Sequence, residues 1–189
     1  MKPAVPAAGL YAITDSTRLA DTHMEDAVAQ AIRGGARIIQ YREKHLHGQA
    51  LDDTAGKLAV LCNRHGVPLI INDNIELAMR SNAAGVHLGK TDPPLAQARA
   101  QLGPDAIIGV SCYNSLERAL DAAAAGADYV AFGRFFPSGS KPKASHAEPG
   151  VLTRARDALT IPLVAIGGIT PDNGSQLLTA GADLLAAID

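Results

Sequence analysis

Three residues that could bind an anion, Gln40, Arg42 and Lys44, follow one another at alternate positions from the end of a β-branched segment, residues 37–41. Because side chains alternate along an extended chain, all three would lie on one face if the chain stays extended. Burying two unpaired cations is costly, so this pattern favours a bound polyanion such as a phosphate or diphosphate. The alternative is a solvated loop in which both cations face water and Glu43 pairs with one of them.

Two carboxylates, Asp73 and Asp92, come after the next two apolar segments of the chain. At the carboxyl ends of neighbouring parallel strands they could share a hard cation such as Mg²⁺, which would keep other positions for water and diphosphate oxygens. The alternative is that both are turn or helix-capping residues. Asp92, or Thr91 before it, is a suitable cap because Pro93 and Pro94 fit the first turn of a helix.

Two later segments offer groups for a phosphate. Gly167 and Gly168 follow an apolar segment, and Thr170 and Pro171 then predict a helix start with Thr170 as its N-cap. Glycines admit an anion close to the backbone, and a helix start offers unpaired N–H groups. A long polar loop, residues 133–147, supplies two hydroxyls and a cation, although an ordinary surface turn would look similar; these residues are Ser138, Ser140 and Lys141.

Eight apolar segments alternate with seven segments of helical period, which predicts alternating strands and helices. The apolar segments are nearly continuous, as in parallel strands that are covered by helices. Glycine closes several of the helices in similar lettering, which indicates repeated βα units. The predicted strands are residues 10–13, 37–41, 68–71, 85–88, 106–110, 128–132, 162–166 and 183–188. The predicted helices are residues 24–33, 49–64, 75–80, 93–102, 116–125 and 152–159, with a seventh that begins near Pro171.

Eight such units close into a (β/α)8 TIM barrel of the α/β class, and the alternative is an open doubly wound sheet. We expect one domain over residues 1–189, with residues 1–9 as a loose N-terminal extension. The eighth helix is absent from this chain. We therefore expect an apolar stripe beside the last strand to be exposed, or to be covered in a homo-oligomer.

Composition excludes several classes of function. The net charge is -2 and no lysine and arginine cluster stands out, while aromatic residues make up only 4%, so a nucleic-acid surface is not expected. No apolar segment is long enough to cross a membrane. The two cysteines, Cys62 and Cys112, have no metal-type spacing and are expected to be reduced thiols of a cytoplasmic protein. No histidine can be placed as a base for Cys112, so a cysteine nucleophile is not predicted.

In a (β/α)8 barrel the functional residues follow the strands at the carboxyl-terminal mouth. The polar residues described above all follow predicted strands, and Asn72 and Ser111 follow the third and the fifth. His87 and Tyr129 lie inside predicted strands and are expected to be packing residues of the barrel wall. The mouth is therefore the predicted site for small-molecule substrates.

Taken in order along the chain, the motifs resemble the thiamine-phosphate synthase family. The resemblance extends from Leu10 to Ile188 and is carried by Gln40-x-Arg42-x-Lys44, Ile71-Asn72-Asp73, Gly85-Val86-His87-Leu88-Gly89 with Asp92, Ile108-Gly109-Val110-Ser111, Ser138-x-Ser140-Lys141 and Ile166-Gly167-Gly168-Ile169. It implies a (β/α)8 barrel that joins hydroxymethylpyrimidine diphosphate to hydroxyethyl-methylthiazole phosphate, releases diphosphate and uses Mg²⁺.

The resemblance also implies roles for individual residues. Asp73 and Asp92 would bind Mg²⁺, and Arg42, Lys44 and Lys141 would stabilise the departing diphosphate. The implied contacts to the pyrimidine diphosphate are Gln40, Arg42, Lys44, Asn72, Ser111 and Lys141. The implied contacts to the thiazole phosphate are Ser138, Ser140, Gly168, Ile188 and Asp189.

The chain departs from the family at a few positions. Threonine is frequent in the family where Ser138 and Ser140 stand, a change that keeps both hydroxyls. Glutamine is frequent where Lys90 stands. Serine is common where Asp189 stands, and a carboxylate there should repel a phosphate, so only the backbone N–H of Asp189 could bind one.

Two other functions are open to such a sequence. A thiazole tautomerase of the same barrel type would need a general base, commonly a histidine just after the sixth strand. Here Arg134 follows Gly133, and a guanidinium cannot act as a base near neutral pH. The second is a phosphate-binding regulatory barrel without turnover, which the carboxylate pair and Lys141 argue against.

Overall fold

Eight parallel strands form a closed barrel in the computed structural model, in which each strand pairs with the next and the last pairs with the first. The structure describes residues 4–17, 24–137 and 146–188. The predicted (β/α)8 barrel is thus confirmed, and the open sheet is wrong. The strands are β1 (Gly9–Ile13), β2 (Ala36–Tyr41), β3 (Leu69–Asn72), β4 (Gly85–Leu88), β5 (Ile107–Tyr113), β6 (Tyr129–Phe132), β7 (Leu163–Ile166) and β8 (Leu184–Ile188).

Helices connect the strands and cover the outside of the barrel. They are α1 (Met24–Arg33), α2 (Gly48–Arg64), α3 (Ile75–Arg80), α4 (Leu95–Leu102), α5 (Leu116–Ala124), α6 (Gly150–Ala158) and α7 (Gly174–Thr179). Within the described ranges no helix follows β8. None of the described helices is both long and apolar enough to cross a membrane.

Two helices begin later than the sequence predicts. Pro94, not Asp92 or Thr91, occupies the N-cap position of α4, and its side chain makes no capping bond. Asn173 occupies the N-cap position of α7, so Thr170 is not its cap. Instead, the Asn173 side chain accepts a hydrogen bond from the Thr170 N–H at 2.8 Å, which closes a turn ahead of the helix. The expected helix start beside Gly168 is therefore wrong.

Alternation along each strand separates two apolar regions. Ile38, Ile70 and Tyr129 belong to the cluster that fills the inside of the barrel. Tyr41 and Phe132 face outward and pack in the clusters beneath the helices. Odd and even positions of a strand therefore have different roles, although both are buried.

β1 begins one residue earlier than the predicted strand. Gly9 already belongs to β1, and Val5 packs against the inner cluster. The outer side of β1 carries Leu10, which is 37% exposed and pairs in register with Leu185 of β8. This is the position at which an apolar stripe was expected.

An ion pair joins α6 to the start of β8 at the amino-terminal end of the barrel. Arg156 binds the Asp183 carboxylate at 2.9 Å, and the same carboxylate accepts the Leu163 N–H at 2.7 Å. The Arg156 guanidinium also donates to two backbone carbonyls after α6. One arginine and one aspartate thus connect a helix and the starts of two strands.

The same arrangement recurs two βα units earlier. Arg99 of α4 binds Asp128 at 2.7 Å, and Asp128 accepts the Ile108 N–H at 2.7 Å. Both aspartates are the last residue of a Gly-Ala-Asp sequence. This recurring sequence motif therefore marks a repeated ion pair as well as the end of a helix. In this fold the amino-terminal end serves stability while function lies at the other end.

Replacing Asp183 with alanine should lower the free energy of unfolding by about 1–3 kcal/mol, because a partly buried guanidinium and a strand N–H both lose their acceptor. Asp157→Ala, on the exposed side of the same helix as Arg156, is the matched control and should change the free energy by less than about 0.5 kcal/mol. Urea unfolding measures both variants. Equal losses in the two would contradict a structural role for the pair.

Candidate active site

A cavity of about 200 Å³ opens at the carboxyl ends of the strands. It gathers most of the described residues for which the sequence predicts a role. Those that line the cavity are Gln40, Arg42, Asn72, Asp73, Asp92, Ser111 and Ile188. They come from five different strands or the loops after them, which is the pattern expected for the mouth of a barrel.

Other predicted residues lie elsewhere. β2 ends at Tyr41, and Lys44 lies exposed in the following turn, outside the cavity lining. Lys44 therefore does not share the face of Gln40 and Arg42, because the chain does not stay extended. Gly168 is also outside the lining. Four predicted residues lie outside the described ranges: Ser138, Ser140, Lys141 and Asp189.

Glu43 shapes the turn after β2. Its Oε1 accepts the N–H groups of Lys44, His45 and Leu46 at 2.6–3.1 Å. Burial raises the pKa of this carboxyl, but the hydrogen bonds from these N–H groups and from Ser16 outweigh burial, so the net pKa lies below its ordinary value. Glu43 thus holds the loop that turns Lys44 away from the mouth.

Arg42 is held in place through its backbone. The Thr14 hydroxyl oxygen accepts the Arg42 N–H at 3.0 Å, and the Thr14 N–H donates to the Gln40 carbonyl at 2.9 Å. These bonds continue the pairing of β1 with β2 beyond the end of the strands. The half-buried Arg42 side chain is thereby aimed at the cavity from a fixed backbone.

Asp73 and Asp92 lie on the same side of the cavity, after β3 and β4. Asp73 adopts a left-handed backbone conformation with φ of 62°, and its Oδ2 accepts a hydrogen bond from the Asn72 side chain at 2.5 Å. Asp92 Oδ2 accepts the Gly89 N–H at 2.5 Å. Asp92 is thus a turn residue, and the helix-cap alternative for it is wrong.

Polar side chains from five strands form a hydrogen-bonded chain across the floor of the cavity. Gln40 Nε2 donates to the Tyr11 hydroxyl at 2.8 Å, and the Tyr11 and Tyr129 hydroxyls are 2.7 Å apart. Tyr129 is 2.9 Å from His87 Nδ1, and His87 Nε2 is 2.8 Å from the Ser111 hydroxyl. Burial raises the pKa of both tyrosines above the ordinary value, so both hydroxyls keep their protons.

Small residues make room for this floor. A Cβ at Gly109 would lie 1.9 Å from the Tyr129 ring, so only glycine fits beneath the ring. The His87 ring stacks on Tyr129 with 5.6 Å between ring centroids, and Tyr11 meets Tyr129 edge to face at 5.8 Å. Gly109 of the sequence motif is thus explained by a close approach within the barrel.

The glycines after β7 are also explained by packing. A Cβ at Gly167 would lie 2.3 Å from Arg134 Cβ, and one at Gly168 would lie 2.3 Å from the Pro137 carbonyl. The N–H of Phe136 donates to the Gly167 carbonyl at 3.0 Å. The loop after β6 therefore lies directly against this glycine pair.

Arg118 of α5 fixes the exits of β4 and β5 from behind. It donates to the Ser111 carbonyl at 2.7 Å and to the Gly89 carbonyl at 3.2 Å. Gly89 in turn donates to Asp92, so one arginine supports residues on two sides of the mouth.

Burial raises the pKa of the neighbouring Cys112 thiol to about 12, which agrees with the absence of a cysteine nucleophile from the predictions.

Sequence reasoning missed several residues of the cavity. The sequence predicted wall packing for His87, and it assigned no role at the site to four others; the missed residues are Tyr11, His87, Lys90, Tyr113 and Arg134. Strand alternation indicates that the first two face the inside of the barrel, because each shares the parity of inward-facing neighbours, but it does not distinguish a wall residue from a residue of the site. Lys90 and Arg134 lie beyond strand ends, where alternation gives no signal. Tyr113 is the last residue of β5 and follows a shift in the pairing register with β6, which interrupts the alternation.

The chain is similar to known proteins over almost its whole length. The TMP-TENI family, described as thiamine monophosphate synthase, matches residues 10–189. Thiamine-phosphate synthase of Thioalkalivibrio sulfidiphilus is 49% identical over 95% of this chain and 85% of its own length. That of Methylobacillus flagellatus is 51% identical over 97% of this chain and 87% of its own length.

A solved structure agrees with these relatives. Thiamine phosphate pyrophosphorylase from Pyrococcus furiosus superposes with a TM-score of 0.84 at 35% identity, over 96% of this chain and 86% of that chain. An N-acetylmannosamine-6-phosphate 2-epimerase from Clostridium perfringens, at 15% identity and a TM-score of 0.69, shares the barrel fold alone. Since the family match extends over residues 10–189, this chain belongs to the thiamine monophosphate synthase family.

Proposed function

We propose that this protein joins hydroxymethylpyrimidine diphosphate to hydroxyethyl-methylthiazole phosphate, giving thiamine phosphate and diphosphate. Membership of the family carries the proposal. The cavity supports it, because the cations Arg42, Lys90 and Arg134 and two carboxylates line it above a floor of hydrogen-bonded polar side chains. Such a site suits a substrate with a charged diphosphate at one end and a polar ring at the other.

The carboxylates fit a magnesium ion bound together with the substrate. Asp73 and Asp92 are hard oxygen ligands at one side of the cavity. Among the described residues no group of three histidine, cysteine or acidic side chains forms a metal site. Two carboxylates with water and diphosphate oxygens are what Mg²⁺ commonly takes. When bound there, the ion would supply positive charge beside the diphosphate.

The chain's own residues then favour loss of diphosphate. Arg42 lies at the rim and would stabilise the negative charge that develops on the leaving group. Lys141 would add a second cation from the loop after β6. Departure of the diphosphate leaves a pyrimidine methyl cation, which the thiazole nitrogen captures to form the new C–N bond. The floor orients the pyrimidine ring and the closed barrel beneath it excludes water from one side.

The two other functions fit the site less well. Arg134 lies in the cavity where a tautomerase would place its base, and a guanidinium keeps its proton at neutral pH. A regulatory barrel without turnover would have no use for a carboxylate pair at the rim. We also propose that the protein acts in the cytoplasm, which the two free, buried cysteines support.

An assay with the two proposed substrates tests this function directly. Purified protein, Mg²⁺ and both substrates should yield thiamine phosphate and diphosphate in equal amounts. Omitting either substrate should stop product formation. EDTA should abolish turnover and added Mg²⁺ should restore it. Absence of thiamine phosphate with both substrates and Mg²⁺ present would overturn the proposal.

A further inference from the structure

The hydrogen-bonded chain on the cavity floor has a direction. Gln40 presents its amide nitrogen to Tyr11, and an amide N–H only donates. The Tyr11 oxygen is therefore the acceptor in that bond, and its own proton remains for the neighbouring Tyr129 hydroxyl, 2.7 Å away. Tyr11 is 1% exposed, so leaving this proton without an acceptor would be costly.

The same reasoning continues to the far end of the chain. Tyr129 accepts from Tyr11 and so donates its proton to His87 Nδ1 at 2.9 Å. The ring must then be neutral, with its proton on Nε2, which donates to the Ser111 oxygen at 2.8 Å. The Ser111 hydroxyl proton is left for the cavity, which Ser111 lines.

We propose that Tyr11, Tyr129 and His87 are positioning residues that fix the hydrogen-bonding character of both ends of the floor. Gln40 is held with its carbonyl oxygen as an acceptor for the ligand, and Ser111 is held with its hydroxyl as a donor. The site then selects a ring that carries a donor group and an acceptor atom, as an amino-substituted nitrogen heterocycle does. This rests on the proposed function only for the identity of the ring.

The direction of the chain has one measurable signature. Turning the Gln40 amide by 180° would reverse every bond along the chain and move the histidine proton to Nδ1. The tautomer of His87 therefore reports whether Gln40 offers an acceptor and Ser111 a donor. No enzymatic activity is needed to observe it, so this measurement stands even if the proposed substrates are wrong.

Long-range ¹H–¹⁵N correlation spectra of the full-length labelled protein at pH 8 would determine the tautomer. The chain has six histidines, and loss of one signal set in His87→Gln identifies the resonances of His87. We expect a neutral ring with the proton on Nε2. A proton on Nδ1, or a charged ring, would overturn the proposal.

Interrupting the hydrogen-bonded chain should remove the preference of His87 for one tautomer. In Tyr129→Phe the hydroxyl that donates to His87 Nδ1 is removed, so the His87 ring should populate both neutral tautomers. Tyr11→Phe should also lead to both tautomers, because Tyr129 then no longer accepts a proton from Tyr11. This variant replaces Tyr129→Phe in the experiment if Tyr129→Phe does not fold. Tyr41→Phe is the matched control, since Tyr41 is equally buried but faces the helices. An unchanged Nε2–H signature in both Tyr129→Phe and Tyr11→Phe would overturn the proposal.

Kinetics then separate positioning from simple packing. Tyr129→Phe should raise the KM for the pyrimidine diphosphate by about tenfold, with a smaller effect on kcat, as loss of an oriented hydrogen bond predicts. The KM for the thiazole phosphate and both constants of Tyr41→Phe should stay near wild type. Equal increases in both KM values would show a general loss of packing and would contradict the positioning role.

Discussion

Replacing Asp73 with asparagine is expected to lower kcat by at least about a hundredfold, because it removes one of the two carboxylates proposed to hold the ion beside the leaving group. Asparagine tolerates the left-handed backbone found at this position, so the fold should be retained. Asp92→Asn should lower kcat similarly, because it removes the other carboxylate. Its amide oxygen can still accept the Gly89 N–H, so the turn should be retained. Steady-state rates over a range of Mg²⁺ concentrations measure both effects.

The control for this experiment is the same charge change at the other end of the barrel. Asp105 is exposed in the turn before β5, and Asp105→Asn should leave kcat and the magnesium dependence unchanged. Circular dichroism and melting temperature establish that all three variants fold. Wild-type rates for both rim variants at limiting Mg²⁺ would refute the assignment of these carboxylates to a metal.

Gly109→Ala should have the second large effect, through the floor of the cavity. The added Cβ would lie 1.9 Å from the Tyr129 ring and 2.3 Å from its hydroxyl oxygen, so the ring must move. We expect the free energy of unfolding to fall by about 1–3 kcal/mol from overpacking. We also expect kcat/KM to fall by at least about a hundredfold, because the moved ring breaks the chain of hydrogen bonds beneath the substrate and intrudes on its position.

A double variant shows whether the ring is the cause. In the Tyr129→Leu background the stability cost of Gly109→Ala should largely disappear, because the colliding ring is gone. Gly56→Ala within α2 is the control: a Cβ there meets nothing within 4 Å, and alanine favours a helix, so it should be neutral or stabilising. Additive losses in the double variant would place the cause elsewhere than in Tyr129.

The architecture was predictable because each element carries a local signal. Apolar strands, helical periods and glycine helix ends all follow from nearby residues, and their alternation determines the barrel. Errors occurred where a local signal had two meanings. Thr170-Pro171 is typical of a helix start, yet the Asn173 side chain closes a turn there and the helix begins afterwards.

The site was predictable at the strand ends and only in part on its floor, where Gln40 and Ser111 were assigned to the site and Tyr11, Tyr129 and His87 were not. Arg42, Asp73 and Asp92 have charges that are unusual after a buried strand, so their types identify them. Tyr11 and His87 could equally be wall residues, and only the meeting of five strands reveals that they are bonded to one another. Lys44 was misplaced because Glu43 bends the loop through backbone hydrogen bonds that residue types alone do not predict.

Closure of the barrel has a consequence for how the chain matures on the ribosome. β1 pairs with β8, so a strand synthesised early cannot complete its pairing until the last strand has been made. Tyr11 lies on β1, and contacts between segments that are distant in sequence form slowly. The floor of the cavity is therefore completed only when the barrel closes. A nascent chain lacking its last strand would have the rim residues but no finished binding pocket, and it would expose a strand edge to chaperones or to aggregation.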